Sequence, residues 1–266
     1  MTDRQAATAL WLRIPVRLQP YVVTVAGVLA VGAFAPFGIY PLAILSLAFL
    51  FNQWLSDSPW QAFLHGGLFG LGYFSFGVSW VYVSVHDYGH VPAPAAALVA
   101  ILFVLVLAIF PALTGYLCRR LPGAAGWRGL LLVFPAGWLL AEWVRGWVFT
   151  GFPWLNIGAS QIDSPLAGFL PVLGETGTGW LTALAASLLL VIITSRLRVA
   201  GLLLLSLLFI GGYLLERVEW TAPRGEALRV SLMQGNIPQE DKWAPENLQR
   251  TLVLYADMTF NGEHND

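Results

Sequence analysis

The sequence has very little charge. Of its 266 residues, 11% are Asp, Glu, Lys or Arg, well below the roughly 25% usual for soluble domains, and 57% are apolar. A soluble fold of this length could not cover so much apolar surface, so the composition indicates a membrane protein. The formal net charge of −1 does not favour binding to nucleic acid.

Reactive side chains are also scarce. The chain has one cysteine, Cys118, and one lysine, Lys242. A single cysteine excludes an internal disulfide. The chain contains no HExxH, CxxC or GxSxG motif and no glycine-rich phosphate loop, so the sequence alone does not specify a reaction. Cys118 precedes Arg119 and Arg120 at the end of an apolar run, and we interpret it as structural rather than nucleophilic.

Long apolar runs dominate what is present. A helix that spans a bilayer needs about 20 mostly apolar residues. Five runs satisfy this: 62–85, 95–118, 129–149, 172–195 and 199–215. Two shorter runs, 21–35 and 42–55, are either two thin spans or a re-entrant hairpin. The fold class predicted is an α-helical polytopic membrane domain of about seven crossings, covering residues 1–217.

Arginines predict the orientation, because cytoplasmic loops collect Lys and Arg. When the two short runs form an up-and-down pair, eight arginines share one side, against the single Arg145 in the short loops of the other. This predicts a cytoplasmic N-terminus and an extracytoplasmic segment after residue 217. The eight arginines are Arg4, Arg13, Arg17, Arg119, Arg120, Arg128, Arg196 and Arg198.

The polar residues predicted on the extracytoplasmic side are interpreted mainly as structural or surface groups. Glu142 and Arg145 lie three apart and share a helix face; a functional pair is possible, but an ion pair at the membrane interface is the favoured interpretation. His86, Asp87 and His90 predict a solvated loop rather than a metal site. We interpret Asp163 and Glu175 as surface or helix-start residues, near an aromatic and proline-rich segment.

The C-terminal segment changes character after a predicted linker at 218–225. Leu228, Val230 and Leu232 alternate with polar residues, which is typical of a strand. Pro245 and Glu246 open a predicted helix with an apolar stripe. Residues 226–266 are therefore predicted to be the first βα unit of an incomplete α/β domain, which cannot bury its own apolar face. Gln234 and Asn236, at the predicted turn, are expected to satisfy local backbone groups.

Several stretches, in order along the chain, resemble the apolipoprotein N-acyltransferases, bacterial enzymes that add an acyl chain to lipoproteins. The most distinctive is GFPWLN at 151–156 with QID at 161–163. The others are FAPFG (34–38), GVSWVYVS (77–84), EWVRGW (142–147) and QGNIPQ (234–239) with KW (242–243).

The resemblance implies a membrane domain in the bacterial inner membrane carrying a periplasmic nitrilase-like αββα domain. It implies transfer of an acyl chain from a phospholipid to a cysteine thiol. The chain then passes to the α-amino group of a diacylglyceryl-cysteine lipoprotein. A Glu-Lys-Cys triad would serve as base, oxyanion stabiliser and nucleophile. No metal or organic cofactor is implied.

None of the residues in this chain matches that triad, which is expected beyond Asp266. Glu263, Lys242 and Cys118 stand in other contexts, so no catalytic residue is assigned and the chain alone is expected to be inactive. Trp243 resembles the family's tryptophan near the active-site cavity; it either contacts acyl substrate or packs the domain on the membrane. The alternatives are a non-catalytic scaffold or half of a split enzyme, and, less favoured, a transporter.

Overall fold

The structure is a computed structural model that describes residues 15–124, 126–228, 230–239, 241–242 and 245–260. Every regular element in these ranges is helical. The nine α-helices are α1 (Gln19–Val31), α2 (Pro41–Ser56), α3 (Pro59–Gly77), α4 (Trp80–Val83), α5 (Ala93–Arg120), α6 (Phe134–Arg145), α7 (Leu170–Thr194), α8 (Arg198–Leu215) and α9 (Leu248–Phe260). Two π-helical turns, Ser84–Tyr88 and Gly129–Val133, follow α4 and precede α6.

Proline and one capping box mark where several helices begin. Proline occupies the first turn of α1, α2, α3, α5, α6 and α7, where its missing N–H removes no helical hydrogen bond. At α3, the Ser58 hydroxyl accepts from the Gln61 N–H, and the Gln61 side chain accepts from the Ser58 N–H at 2.9 Å. The chain therefore reverses between α2 and α3 within two residues.

The helices of the bundle pack closely through small residues. On α3, a Cβ added to Gly66 would lie 2.2 Å from the Pro111 carbonyl oxygen of α5, so only glycine fits. The contacts of Gly66 with Pro111 and of Gly70 with Ala108 show that α3 and α5 are antiparallel. Close backbone approach at small residues is the usual way in which helices associate in membranes.

Helix α2 lies at the centre of the bundle. Ten of its residues are buried, including Phe51 and Trp54. Phe51 contacts Trp54, Phe134 and Trp138, with ring centroids 5.4, 5.6 and 6.4 Å away. The Trp54 indole donates to the Ala62 carbonyl at 3.2 Å. A helix buried on most sides is surrounded by protein rather than lipid, which explains why its apolar residues are not confined to one face.

The membrane-spanning helices agree with the sequence prediction only in part. Within the described residues, three helices are long and apolar enough to cross a bilayer: Ala93–Arg120, Pro165–Thr194 and Arg198–Leu215. The pair Pro59–Gly77 and Trp80–Tyr88, bent by 52°, makes a fourth if it counts as one span. The predicted run 62–85 is therefore not straight.

The prediction of about seven crossings is not supported. Helices α1 and α2 have 13 and 16 residues, which at 1.5 Å per residue gives about 20 and 24 Å, against a hydrocarbon core of about 30 Å. Helix α6 ends at Arg145 rather than Phe149, because the chain leaves the helix at Gly146. What the structure shows is a helical membrane domain.

The predicted βα unit is half present. The helix is confirmed as the 3-10 turn Pro245–Asn247 followed by α9. The strand is absent from residues 230–239, and the described residues contain no strand with which it could pair. Leu228, Val230 and Leu232 are 87, 75 and 90% exposed. A period-2 pattern becomes a strand only when a neighbour accepts its backbone hydrogen bonds.

Candidate functional site

The bundle has two ends, which differ in their polar residues. We call the end that carries the described arginines Arg17, Arg119, Arg120, Arg128, Arg196 and Arg198 the arginine end. The opposite end carries residues 146–164, which we call the long loop; with the 3-10 turn Pro165–Phe169 they connect α6 to α7. Except for short 3-10 turns at Val148–Thr150 and Ala159–Gln161, the long loop is irregular. It contains the GFPWLN stretch.

The long loop has a strained backbone. Phe149, Thr150 and Leu155 have φ angles of +53, +76 and +59°. The left-handed region costs about 1 kcal/mol or more for residues with a Cβ, most of all for β-branched threonine. Such conformations persist only where the surroundings impose them. Side chains of α6 and α3 bind the loop at and after Leu155 and at Phe152 and Trp154.

Arg145, in the last turn of α6, is the main anchor of the long loop. One terminal nitrogen of its guanidinium donates to the carbonyls of Phe152 and Trp154 at 2.8 and 2.5 Å, and the other donates to Asn156 Oδ1 at 2.6 Å. Its own carbonyl accepts from the Phe152 N–H at 2.9 Å. The side chain is 4% exposed, so this charge is satisfied by loop oxygens rather than by water.

Glu142 is the second anchor, one turn earlier on α6. Its Oε1 accepts from the Trp138 indole at 3.0 Å and from the Ile157 N–H at 2.8 Å. Its Oε2 is buried without a hydrogen-bond partner. Gly158, next to Ile157, packs so closely on α7 that an added Cβ would lie 2.0 Å from the Glu175 carbonyl oxygen. Glu142 therefore fixes the long loop between α6 and α7.

Helix α3 forms the inner wall below the long loop. The Tyr73 hydroxyl donates to the Leu155 carbonyl at 2.8 Å, which holds one of the left-handed residues. The guanidinium of Arg145 lies over the Phe74 ring, 5.3 Å from its centroid. A cavity of about 20 Å³ lies here and is too small for an acyl chain; its lining is Tyr73, Phe74, Phe110, Pro111, Trp138, Ala141, Glu142 and Arg145. These buried groups therefore shape the loop rather than hold a lipid.

The outer surface of this end is aromatic. Trp80 and Trp154, 43 and 50% exposed, contact each other edge to face at 5.4 Å. Trp143 and Trp147 form a second exposed pair at 5.6 Å. Phe149 is 87% exposed. Tryptophan rings of this kind settle at the boundary between lipid tails and headgroups, so a lipid and a surface-bound acceptor can both reach this face.

The prediction that Glu142 and Arg145 form an ion pair with each other at the membrane interface is wrong. Both side chains are buried, and each binds the long loop rather than the other. The sequence showed that they share a helix face, but only the path of the following loop determines their partners. Tyr73 and Trp138 carried no sequence signal, because they lie in apolar helices whose buried faces the pattern does not distinguish.

Two of the other sequence candidates belong to the long-loop end, since Asp163 is in the loop and the Glu175 carbonyl faces Gly158, whereas Cys118 lies far from it. Cys118 is buried at the arginine end, where its thiol donates to the Val133 carbonyl at 3.5 Å. Asp163 and Glu175 are exposed. His86 Nδ1 contacts the Val91 carbonyl at 2.8 Å, in a π-helical turn rather than the predicted loop. Among the described residues, no group of three or more His, Cys, Asp or Glu is placed to hold a metal.

The C-terminal candidates remain untested or differ from expectation. Trp243, the predicted substrate contact, and Glu263 lie outside the described residues. Gln234 and Asn236 do not bind backbone groups as expected: the Gln234 amide donates to Asn236 Oδ1 at 3.2 Å. The N–H of Gly235, between them, donates to the Tyr255 hydroxyl at 3.4 Å, which connects this segment to α9.

Comparison with known proteins identifies the family. Residues 26–188 match the model of the apolipoprotein N-acyltransferase N-terminal domain. The chain is 48% identical over 235 residues to the apolipoprotein N-acyltransferase of Methylococcus capsulatus, which covers 88% of this chain and 47% of the relative. It is 44% identical to that of Nitrosomonas europaea and 42% identical to that of Coxiella burnetii, over 87% and 90% of this chain.

The chain spans about half the length of the curated relatives it matches. The matched region includes α2 to α6, the whole long loop and most of α7, so the anchors Glu142 and Arg145 both lie inside it. The chain belongs to the apolipoprotein N-acyltransferase family.

Proposed function

We propose that this chain is the membrane-embedded part of an enzyme that moves an acyl chain from a phospholipid to the N-terminal α-amino group of a diacylglyceryl-cysteine lipoprotein. In the first step a cysteine thiolate attacks the phospholipid ester, forms a thioester and releases a lysophospholipid. In the second step the lipoprotein amine attacks the thioester and the thiol is regenerated. The observation that carries the proposal is the family match over 26–188.

The structure supports a division of labour in which this chain supplies the surface and not the nucleophile. The only cysteine, Cys118, is buried between α5 and α6 at the end opposite the long loop. A thioester requires an accessible thiolate beside a base. The exposed tryptophans at the long-loop end instead suit the positioning of lipid substrates near the membrane surface.

The proposal includes a topology. The N-terminus and the arginine end face the cytoplasm, and the long loop and residues 226–260 face the periplasm, in the inner membrane. Seven apolar helical segments form the membrane domain: α1, α2, the bent pair α3–α4, α5, α6, α7 and α8. Helices α1 and α2 are each shorter than the hydrocarbon core is thick. Helix α2 is buried among its neighbours, so protein rather than lipid surrounds most of it.

Residues 226–260 would be the start of a nitrilase-like domain. The exposed Leu228, Val230 and Leu232 on one side and α9 on the other leave apolar surface that additional strands would cover. The same exposed residues fit the second candidate function, a membrane scaffold that docks a separate catalytic partner.

An acyl-transfer assay in detergent tests the proposal. It compares the 266-residue chain with a fusion that continues into the remainder of the Methylococcus capsulatus relative, using a diacylated lipopeptide and a phospholipid donor. We expect triacylated product from the fusion only. The matched control is the fusion carrying Cys118→Ser, which we expect to keep its activity.

Other outcomes separate the candidates. Product from the 266-residue chain alone would contradict the division of labour, and Cys118 and Lys242 would then become candidates for catalytic groups. If neither the chain nor the fusion transfers an acyl group, but the chain captures a separately expressed C-terminal half, the scaffold candidate replaces the enzyme.

A further inference from the structure

An apolar groove runs along the outside of the bundle, away from the long loop. Its volume is about 420 Å³, within the range of roughly 300–1,000 Å³ typical of small-molecule sites. It offers no polar side chain. Its lining consists of Leu131, Phe169, Leu184, Leu188, Leu204, Leu207, Leu208 and Gly211.

The groove lies between two close contacts of α8, one with α7 and one with the 3-10 turn Pro165–Phe169 that precedes α7. Near the arginine end, Gly201 of α8 faces Ile192 of α7, where an added Cβ would lie 3.1 Å from Cγ1. Near the other end, Gly212 faces the Pro165 carbonyl, 2.1 Å from an added Cβ. Between these contacts the helices separate, and Leu204 and Leu207 remain 48 and 66% exposed.

Three arginines lie close in sequence to residues that line this groove. Arg128 precedes the lining residue Leu131 by three positions, and Arg198 precedes Leu204 by six, which correspond to about 5 and 9 Å along the helix axes. Arg196 lies in the turn between α7 and α8. All three are exposed, and all lie on the arginine side of the groove.

No carboxylate of the described residues neutralises these arginines. The stretches 120–141 and 176–215, which contain the three arginines and every lining residue of the groove except Phe169, have no Asp or Glu. Within the described chain, the two carboxylates within 4.0 Å of a histidine nitrogen are Asp57 and Asp87, and neither is paired with Arg128, Arg196 or Arg198. Arg128, Arg196 and Arg198 therefore have no carboxylate partner among the described residues.

We propose that this groove is a binding site for an anionic phospholipid of the leaflet at the arginine end. One acyl chain lies between α7 and α8, and the phosphodiester contacts Arg128, Arg196 and Arg198. Basic residues at the membrane surface beside an apolar gap between helices are the chemistry that holds acidic lipid headgroups.

This site differs from the proposed acyl-transfer surface, because its proposed headgroup contacts are the arginines at the end opposite the long loop. A lipid bound here is a resident of the structure that fills the gap beside α8, not the donor of the reaction. Lipid binding in this groove therefore does not depend on the enzymatic activity.

Native mass spectrometry of the 266-residue chain tests the site. The chain is titrated with palmitoyl-oleoyl phosphatidylglycerol, with phosphatidylcholine of the same chains, and with inorganic phosphate. We expect phosphatidylglycerol to bind about tenfold or more tightly than phosphatidylcholine. The double variant Arg196→Gln/Arg198→Gln should weaken phosphatidylglycerol by about fivefold for each arginine. The matched control, Arg17→Gln/Arg120→Gln, removes the same charge from the same end and should change its affinity less than twofold.

A second variant tests the groove itself. A Cβ added to Gly211 would meet Phe169 Cζ at 3.6 Å, an ordinary contact, so Gly211→Leu fills the groove without displacing backbone. We expect it to weaken phosphatidylglycerol about tenfold, the loss of roughly two buried methylenes. Equal binding of both lipids, an equal loss in the control pair, no effect of Gly211→Leu, or phosphate binding as tight as that of the lipid would each overturn the proposal.

Discussion

The two ends of the bundle bury charge in different ways. At the arginine end, Asp57 and His65 contact each other at 2.7 Å, and Arg119 donates to the Asp57 carbonyl at 2.8 Å, across a turn of two residues. At the other end, Glu142 and Arg145 are equally buried, but they bind a loop of 19 residues rather than each other.

The difference shows what buried charge can do in a membrane protein. Next to a short turn, it closes the helix end and satisfies backbone groups that lipid cannot. Next to a long loop, it binds Phe152, Trp154, Asn156 and Ile157, in a loop that also holds the left-handed residues Phe149, Thr150 and Leu155. The second arrangement maintains an irregular aromatic surface in one shape, as a preorganised site requires.

The largest effect is expected from Arg145→Ala. The variant leaves the carbonyls of Phe152 and Trp154 and the side chain of Asn156 without their donor. We expect a loss of about 3–5 kcal/mol in the free energy of unfolding, as for removal of one partner from a buried charged network. Denaturant titration in detergent, followed by tryptophan fluorescence, measures it.

Arg145→Lys is the matched control for that prediction. Lysine keeps the charge but cannot reach two carbonyls and an amide oxygen with one planar group. It should recover part of the loss. A variant Arg145→Ala as stable as the wild type would show that the long loop does not depend on this anchor.

A smaller loss of stability is expected from a substitution in the contact between α3 and α5, away from both ends of the bundle. Gly66→Ala places a methyl group 2.2 Å from the Pro111 carbonyl oxygen, whereas at the adjacent Gly67 the nearest atom is Ala112 Cβ at 3.5 Å. We expect a cost of about 1–3 kcal/mol for Gly66→Ala. Gly67→Ala should be neutral or stabilising by up to about 1 kcal/mol, because alanine favours helix. Equal effects of the two substitutions would contradict the close contact of α3 with α5.

The arginine end should respond less than the long-loop end when one charge is neutralised. Asp57→Asn keeps the backbone carbonyl that accepts from Arg119 but weakens the contact with His65. We expect a loss of about 1–2 kcal/mol in the free energy of unfolding. Asp163→Asn, at an exposed position of the long loop, should stay within about 0.5 kcal/mol of the wild type. A larger loss for Asp57→Asn than for Arg145→Ala would reverse the comparison.

The smallest effect is expected at Cys118. Its thiol fills space between α5 and α6, and its hydrogen bond to Val133 is long at 3.5 Å. Cys118→Ala should cost about 1 kcal/mol, since little volume is removed. A polar maleimide should not label the wild type until it is unfolded; rapid labelling of the folded protein would contradict the burial of this thiol.

The helices that the sequence predicted correctly are the long and strongly apolar ones. The predicted runs 95–118 and 199–215 correspond to α5 and α8 within about two residues, and the 3-10 turn that leads into α9 begins at Pro245. The bend after Gly77 was not predicted, because an apolar run has no amphipathic period to mark an interruption. The strand over 228–233 was predicted from alternation alone, and alternation does not supply a partner strand.

The sequence indicated segments of the candidate site but predicted neither a site there nor its anchoring. The GFPWLN stretch and the spacing of Glu142 and Arg145 identified the right segments. The partners of those two side chains depend on Phe152, Trp154 and Ile157 returning over α6, which is a tertiary arrangement. No local pattern records it.

Hydrogen–deuterium exchange of the peptide covering 150–158 tests most directly whether the α6 anchors hold the long loop in one shape. The N–H groups of Phe152 and Ile157 are bound to the Arg145 carbonyl and the Glu142 carboxylate, so we predict protection in the folded chain close to that of α6 itself. In Arg145→Lys this protection should fall while α2 and α5 stay protected. Exchange of the peptide in the wild type as fast as in an exposed loop would contradict the account.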